Sequence, residues 1–104
     1  MTKVALFIKI KTKPGKRDEV RELWEKFLKG RAEAKDAQEL YFFCNDNNDA
    51  DAFLLFVVYS APVALAKNAT TKWFAAYMES VGPLLDGMPE VYMKTPVWAK
   101  GATV

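Results

Sequence analysis

The 104-residue chain contains no histidine and only one cysteine, Cys44. Histidine is the usual acid–base side chain at neutral pH and a common ligand of zinc, non-haem iron and haem. With one thiol and no imidazole, the chain alone cannot build a structural zinc site, a Ser-His or Cys-His nucleophile pair, or an intrachain disulfide. We therefore expect no metal site of these kinds in a single chain.

An excess of charge and long apolar runs are also missing. The 15 Lys and Arg residues and 13 Asp and Glu residues give a net charge of +2 and are interspersed, which argues against nucleic acid as a partner. No run reaches the roughly 18 apolar residues of a transmembrane helix. A strand pattern begins at Lys3, so we expect a cytoplasmic protein without a signal peptide. The length suits one core, and residues 1–104 are predicted to form a single domain.

The most informative stretch runs from Ala52 to Tyr77. Residues 53–59 form an unbroken apolar run that suits one strand and is too short for most helices. After Pro62 the apolar period changes to about 3.6, with rings at Trp73, Phe74 and Tyr77. The pattern predicts a buried strand leading directly into helical structure, and we expect any ligand site where the two meet.

The remaining periodicities complete the fold. Five turn-forming residues, 45–49, predict a hairpin loop, and they lack the glycine and distal glutamate of an EF-hand calcium loop. The element order fits a ferredoxin-like α+β fold, with a four-stranded antiparallel sheet and both helices on one face. Besides 53–59, strands are predicted at residues 3–12, 39–44 and 88–98, and Pro96 interrupts the last of them. Helical segments are predicted at residues 16–34, 62–68 and 72–81. Thr70 or Thr71 is expected to cap the last helix.

Two of the predicted strands are apolar on both faces. In residues 53–59 both alternating sets are apolar, and Tyr41 and Phe43 face away from Leu40 and Phe42. Helices on one face would leave the other as an apolar patch larger than a monomer usually exposes. We therefore expect a homodimer formed through the sheet face; the alternative is that the tail or a loop covers it.

Nearly the whole chain resembles the antibiotic biosynthesis monooxygenase superfamily, the small dimeric α+β barrels. The resemblance rests on KTKPGKRDEVRELWEKF, on LYFFCNDNNDADAFLLFVVYSAPVALAKNATTKWFAAY and on the closing YMKTPV. These motifs specify a fold better than a chemistry. Members often carry tryptophan where Tyr59 stands and histidine where Asn68 and Trp73 stand. The missing histidines, with Ile8 in place of a first-strand asparagine, argue against imidazole-dependent reactions and the haem-degrading branch.

The resemblance implies a cofactor-independent monooxygenase that oxidises a small aromatic quinol, phenol or polyketide with O2. A deprotonated substrate of this kind can give an electron to oxygen directly, so the protein supplies a dry aromatic slot and hydrogen-bond groups that favour the anion. For each ring, plain core packing is the alternative interpretation. The predicted catalytic residues are Tyr59 or Tyr77, to hold or accept the phenolic proton, and Asn68, to bond the oxygen; the predicted slot walls are Trp24, Phe27, Phe42, Trp73 and Phe74.

Two other functions fit the same sequence. The first is a non-catalytic or stress-related dimer that binds a small hydrophobic aromatic ligand without converting it. The second is a dimeric barrel enzyme that cyclises or isomerises a polyketide. A separate protein that supplies flavin is also left open.

Overall fold

A computed structural model describes residues 3–30 and 38–101 of the chain. The end of the predicted first helix and the last residues of the tail lie outside the described residues. The elements are β1 Val4–Lys11, α1 Arg17–Trp24 with a π-helical turn Glu25–Lys29, β2 Gln38–Asn45, β3 Ala52–Tyr59, α2 Pro62–Ala69, α3 Lys72–Val81 with a 3-10 turn Gly82–Leu84, and β4 Glu90–Lys94.

The four strands form one antiparallel sheet in the order β2-β3-β1-β4. This order, with the helices between β1 and β2 and between β3 and β4, confirms the ferredoxin-like α+β prediction. The loop between β2 and β3 is a hairpin connection, as predicted. Arg17 of α1 holds it by donating from Nη1 to the backbone oxygens of Asp46 (3.3 Å) and Asp49 (3.1 Å).

The core lies between the helices and one face of the sheet. Alternate residues of β1 and β3 point to the helices because side chains in a strand alternate between faces. Thr71 caps α3 by accepting a hydrogen bond from the Phe74 backbone N–H, as the sequence predicted. The buried core residues include Val4, Leu6 and Ile10 of β1, Phe53, Leu55, Val57 and Tyr59 of β3, Val20 of α1, and Tyr77 and Val81 of α3.

The other face of the sheet, which we call the outer face, carries a row of aromatic rings. Phe42, Phe56, Phe7 and Tyr92 lie opposite one another across all four strands. The Phe7 and Phe56 ring centroids are 4.8 Å apart, and those of Phe42 and Phe56 are 6.4 Å apart. Phe42 is 53% exposed and Tyr92 is 49% exposed, so this aromatic row faces outward. The predicted apolar second face is therefore present.

Two predicted elements differ from the structure by more than one residue at an end or change their helix type. The last strand was predicted at 88–98 but ends at Lys94, two residues before Pro96, because proline cannot donate a ladder hydrogen bond. Trp98 and the residues around it then line a cleft over one end of the outer face. The first helix changes at Trp24 into a π-helical turn, a widened turn that often lies near functional sites. Across residues 3–30 and 38–101, every helix is too short or too polar to span a bilayer.

Candidate functional site

Aromatic side chains from α1, its π-helical turn and α3 gather over the helix-facing side of the sheet. Trp24 contacts the rings of Tyr41 and Phe43 of β2, with centroids 5.7 Å and 4.6 Å away. Phe27 contacts the Tyr77 ring of α3 at 6.1 Å. Phe74 lies 6.4 Å from Tyr77 and 6.1 Å from Trp73, which extends the group along α3.

Hydrogen bonds orient two tyrosine hydroxyls within this group. The indole Nε1 of Trp24 donates to Tyr41 Oη over 3.0 Å. The side-chain Nε2 of Gln38 donates to Tyr59 Oη over 2.7 Å. Tyr59 is 4% exposed and Tyr77 is 5% exposed, so their phenols are held in a largely dry environment.

A one-residue shift in register places Gln38 on the helix-facing side. Gln38 lies opposite Tyr59 and Leu40 lies opposite Val58, so two steps along β2 match one step along β3. This is the geometry of a β-bulge, which redirects a side chain. Without it, strict alternation would put Gln38 on the outer face with Leu40 and Phe42.

Burial changes the acid–base behaviour of the site. Burial raises the pKa of the Tyr41 phenol to about 12, with a smaller contribution from Tyr59, while the hydrogen bond from Trp24 acts in the opposite direction. Burial also raises the pKa of Tyr77, and Tyr41 adds to that effect. Tyr41 therefore lies close enough to both Tyr59 and Tyr77 for their charges to interact. At neutral pH, Tyr41 and Tyr77 are uncharged and can donate hydrogen bonds, but they cannot act as bases.

A cleft of about 290 Å³ opens beside this group at the β2 edge of the sheet. Aromatic rings form part of its wall, and Gln38 and Lys29 supply polar groups. The charge of Glu39 is paired with Lys3 over 2.8 Å. The lining residues are Trp24, Lys29, Gln38, Glu39, Leu40, Tyr41 and Phe43.

A larger cleft of about 550 Å³ lies on the outer face, between the sheet and residues 94–101. It includes Phe7, Phe56 and Trp98 together with three lysines. Its size alone would favour it as the ligand site. We assign the site to the helix-facing side because oriented polar groups lie among half-buried rings there, whereas the outer cleft belongs to the apolar surface expected to meet a second subunit.

The structure places most of the predicted site residues on the helix-facing side, although only Trp24 of them lines the 290 Å³ cleft. Trp24, Phe27, Phe74, Tyr59 and Tyr77 all lie on the helix-facing side, and Trp73 lies next to Phe74. Asn68 belongs to α2, but its side chain lies outside the described residues.

Phe42 does not join the predicted slot. It lies on the outer face, because it is one residue out of phase with Tyr41 and Phe43, which contact Trp24. A strand that is apolar on both sides does not show which of its faces the helices cover.

Sequence reasoning missed Gln38 and Tyr41 as site residues. Tyr41 could have been found, because it shares its alternation with Phe43. Gln38 could not, because its orientation depends on the bulge. Within residues 3–30 and 38–101, no three Cys, Asp or Glu side chains converge in a metal-binding arrangement.

Solved structures show the same fold. A Caulobacter crescentus protein, provisionally named an antibiotic biosynthesis monooxygenase, superposes with a TM-score of 0.85 at 16% identity, covering 93% of this chain and 92% of that chain. A Chloroflexus aurantiacus protein with the same provisional name gives 0.79 at 19% identity, covering 95% and 97%. A Nitrosomonas europaea protein with the same provisional name gives a TM-score of 0.85 at 11% identity, covering 95% of this chain and 94% of that chain.

These likenesses cover nearly the full length of each chain but share few identical residues. No family model matches the sequence. No curated protein matches it either. The chain therefore has the fold of the antibiotic biosynthesis monooxygenases, and its activity has to be argued from its own residues.

Proposed function

We propose that the protein is a cofactor-independent monooxygenase that oxidises a small aromatic substrate of the quinol, phenol or polyketide type with O2. The observation that carries the proposal is the group of rings and tyrosine hydroxyls between the helices and the sheet, in which Tyr59 and Tyr77 are buried and Trp24 and Phe27 are half-buried. A dry aromatic slot with a few oriented donors is what an electron-rich aromatic anion requires. The likeness in fold to proteins provisionally named as such monooxygenases agrees with it.

The substrate supplies the electrons in this reaction. An anthrone-type anion transfers one electron to O2, and the resulting radicals combine to form a carbon–oxygen bond. The peroxide then loses water, so that the ring CH2 becomes a carbonyl. One oxygen atom stays in the product, and the other leaves in water with the two hydrogens of the CH2 group.

The tyrosines act as hydrogen-bond donors to the substrate anion. Tyr77 is kept neutral because burial raises its pKa, so it donates and does not accept the substrate proton. The proton passes to solvent as the substrate enters. Tyr59, oriented by Gln38, and Asn68 are the other proposed polar contacts. The proposed walls are Trp24, Phe27, Trp73 and Phe74.

The active form is proposed to be a homodimer joined through the outer face. Leu40 and Leu54, which are 41% and 43% exposed, lie on the same face as the aromatic row. Packing two such sheets face to face removes these apolar side chains from water. It also covers the outer cleft.

Oxygen uptake tests the proposed activity. Chelator-treated protein with no added flavin should consume O2 in the presence of a quinol or anthrone faster than the substrate alone does. Tyr59→Phe, Tyr77→Phe and Asn68→Ala should each slow uptake, by roughly a hundredfold where the lost donor stabilises the reacting anion. Glu22→Gln, an exposed change on α1, is the matched control and should retain the rate.

Oxygen uptake that equals the protein-free rate would refute the proposal. Uptake that persists in all three variants would remove the assigned roles. Product formation without oxygen uptake would favour the cyclase or isomerase function.

Non-catalytic binding is the second candidate. It is favoured by one observation: the chain has no histidine to deprotonate a ligand, and the half-buried Tyr41 and the buried Tyr77 are uncharged at neutral pH. In that case the aromatic ligand binds in the same site, oxygen uptake stays at the protein-free rate, and the ligand is recovered unchanged.

A further inference from the structure

Within the described part of the chain, only the nitrogen of the Gln38 side-chain amide has a hydrogen-bond partner. Its nitrogen donates to Tyr59, but its carbonyl oxygen Oε1 is buried and has no hydrogen-bond partner there. Buried polar atoms in folded proteins nearly always have a partner, and an unmet acceptor lowers stability. An unmet acceptor beside a cleft suggests that the partner is a bound molecule.

The local backbone holds this acceptor in place. The bulge at residues 38–40 turns Gln38 to the helix-facing side, where Tyr59 fixes its amide group. Bulges are found preferentially beside active sites, because they redirect one side chain without disturbing the rest of the strand. Gln38 is therefore a fixed acceptor and not a freely rotating surface amide.

The cleft next to Gln38 defines what could supply the missing donor. The rings of Trp24, Tyr41 and Phe43 line it, so the body of the ligand is flat and apolar. Lys29 also lines the cleft, and its positive charge favours a ligand that carries a negative charge. An acceptor oxygen requires an O–H or N–H group on the ligand.

We propose that Gln38 Oε1 anchors the substrate by accepting a hydrogen bond from an aromatic hydroxyl group that stays protonated in the bound state. This inference rests on the proposed function and narrows its substrate class to anthrone-type aromatics that carry a second hydroxyl. The ionised enol oxygen of the anthrone gives its electron to O2, and the ring CH2 becomes a carbonyl with loss of water as described above. The second hydroxyl remains neutral and donates to Gln38. A simple phenol, whose only hydroxyl is ionised during reaction, cannot make both contacts.

Binding of a matched pair of probes tests this role. The affinities of 2-naphthol and 2-methoxynaphthalene are measured by equilibrium dialysis at neutral pH. The ether carries a methyl group in place of the hydroxyl hydrogen, so it has no O–H to donate. Wild-type protein should bind the naphthol about tenfold more tightly than the ether.

Two substitutions at Gln38 separate the acceptor from the shape of the side chain. Gln38→Met keeps the length but removes the acceptor, so the preference should fall to within about twofold. Gln38→Glu keeps an acceptor oxygen and should retain the preference for the naphthol. Circular dichroism shows whether each variant is folded. If a variant is unfolded, the ratio of the wild-type affinities for naphthol and ether still tests the proposal.

Three results would overturn the inference. Equal binding of the two probes by wild-type protein would show that water satisfies Gln38. A preference for the ether would show that no acceptor in the cleft meets the hydroxyl group. Failure of both probes to bind would show that the cleft is not an aromatic site.

Because binding is measured without turnover, these outcomes are independent of the oxygen-uptake test. A hydroxyl preference that depends on Gln38, together with no oxygen uptake, would support the anchor and refute only the monooxygenase function.

Discussion

Phe42→Glu should break the proposed dimer while leaving the protomer folded. Phe42 sits in the aromatic row and is 53% exposed, so a charged side chain there can reach water in a monomer. In a dimer joined through the outer face, the same carboxylate would be removed from water, at a cost of several kcal/mol where it has no partner.

The size of the effect follows from the exposed part of the ring. Full burial of a phenylalanine side chain contributes about 1.5–3 kcal/mol, so covering the exposed half contributes about 1 kcal/mol per copy. A two-fold interface contains two copies, and losing about 2 kcal/mol weakens the dimer about thirtyfold. The carboxylate adds to this, so the total loss should be larger.

Sedimentation velocity over a concentration series measures the dissociation constant. Val63→Glu is the matched control, because Val63 is 73% exposed but lies on α2 and not on the sheet. Wild type and Val63→Glu should sediment as dimers, and Phe42→Glu as a monomer with an unchanged circular dichroism spectrum. A monomeric wild type at tens of micromolar, or a Phe42→Glu dimer as tight as wild type, would refute the reasoning.

Three other changes test the core, the buried phenols and the hairpin. Phe53→Ala, at a fully buried position whose ring packs against Phe43, should lower the free energy of unfolding by about 3–5 kcal/mol in urea titrations. In alkaline absorbance titrations, Tyr41→Phe should remove a phenol that ionises near pH 12. Because the folded pKa of Tyr41 is raised, this residue stabilises the fold below its unfolded pKa. That contribution is lost as the pH rises through the folded pKa. The hydrogen bond from Lys11 is the largest cause that lowers the pKa of Asp49. The contribution of Asp49 to folding stability is therefore present above its unfolded pKa and is lost as the pH falls through its folded pKa. Asp49→Asn should lose less stability on acidification than wild type does. Equal urea midpoints, an unchanged alkaline titration or identical acid profiles would contradict these expectations in turn.

Much of the fold could be predicted because the burial pattern matches the geometry of each element. The unbroken apolar run in β3 and the 3.6-residue period in α3 gave the positions of both elements to within one residue. β4 was overestimated because its apolar residues continue to Trp98, although Pro96 prevents further pairing.

The site was less predictable than the fold. The aromatic residues of α1 and α3 could be assigned because a helix in this fold buries only one face. In β2 both faces are apolar, so the sequence could not decide between Phe42 and Phe43, and the pairing with Trp24 decides it. The orientation of Gln38 depends on one extra residue in the strand pairing, which leaves no mark in composition or periodicity.

Both proposals require the aromatic ligand to bind on the helix-facing side of the sheet. A crystal structure of the protein with 2-naphthol locates the ligand. We expect the naphthalene ring against Trp24 and Tyr41, with its hydroxyl within hydrogen-bond distance of Gln38 Oε1. A naphthalene ring found only in the outer cleft, against Phe56 and Trp98, would refute this placement.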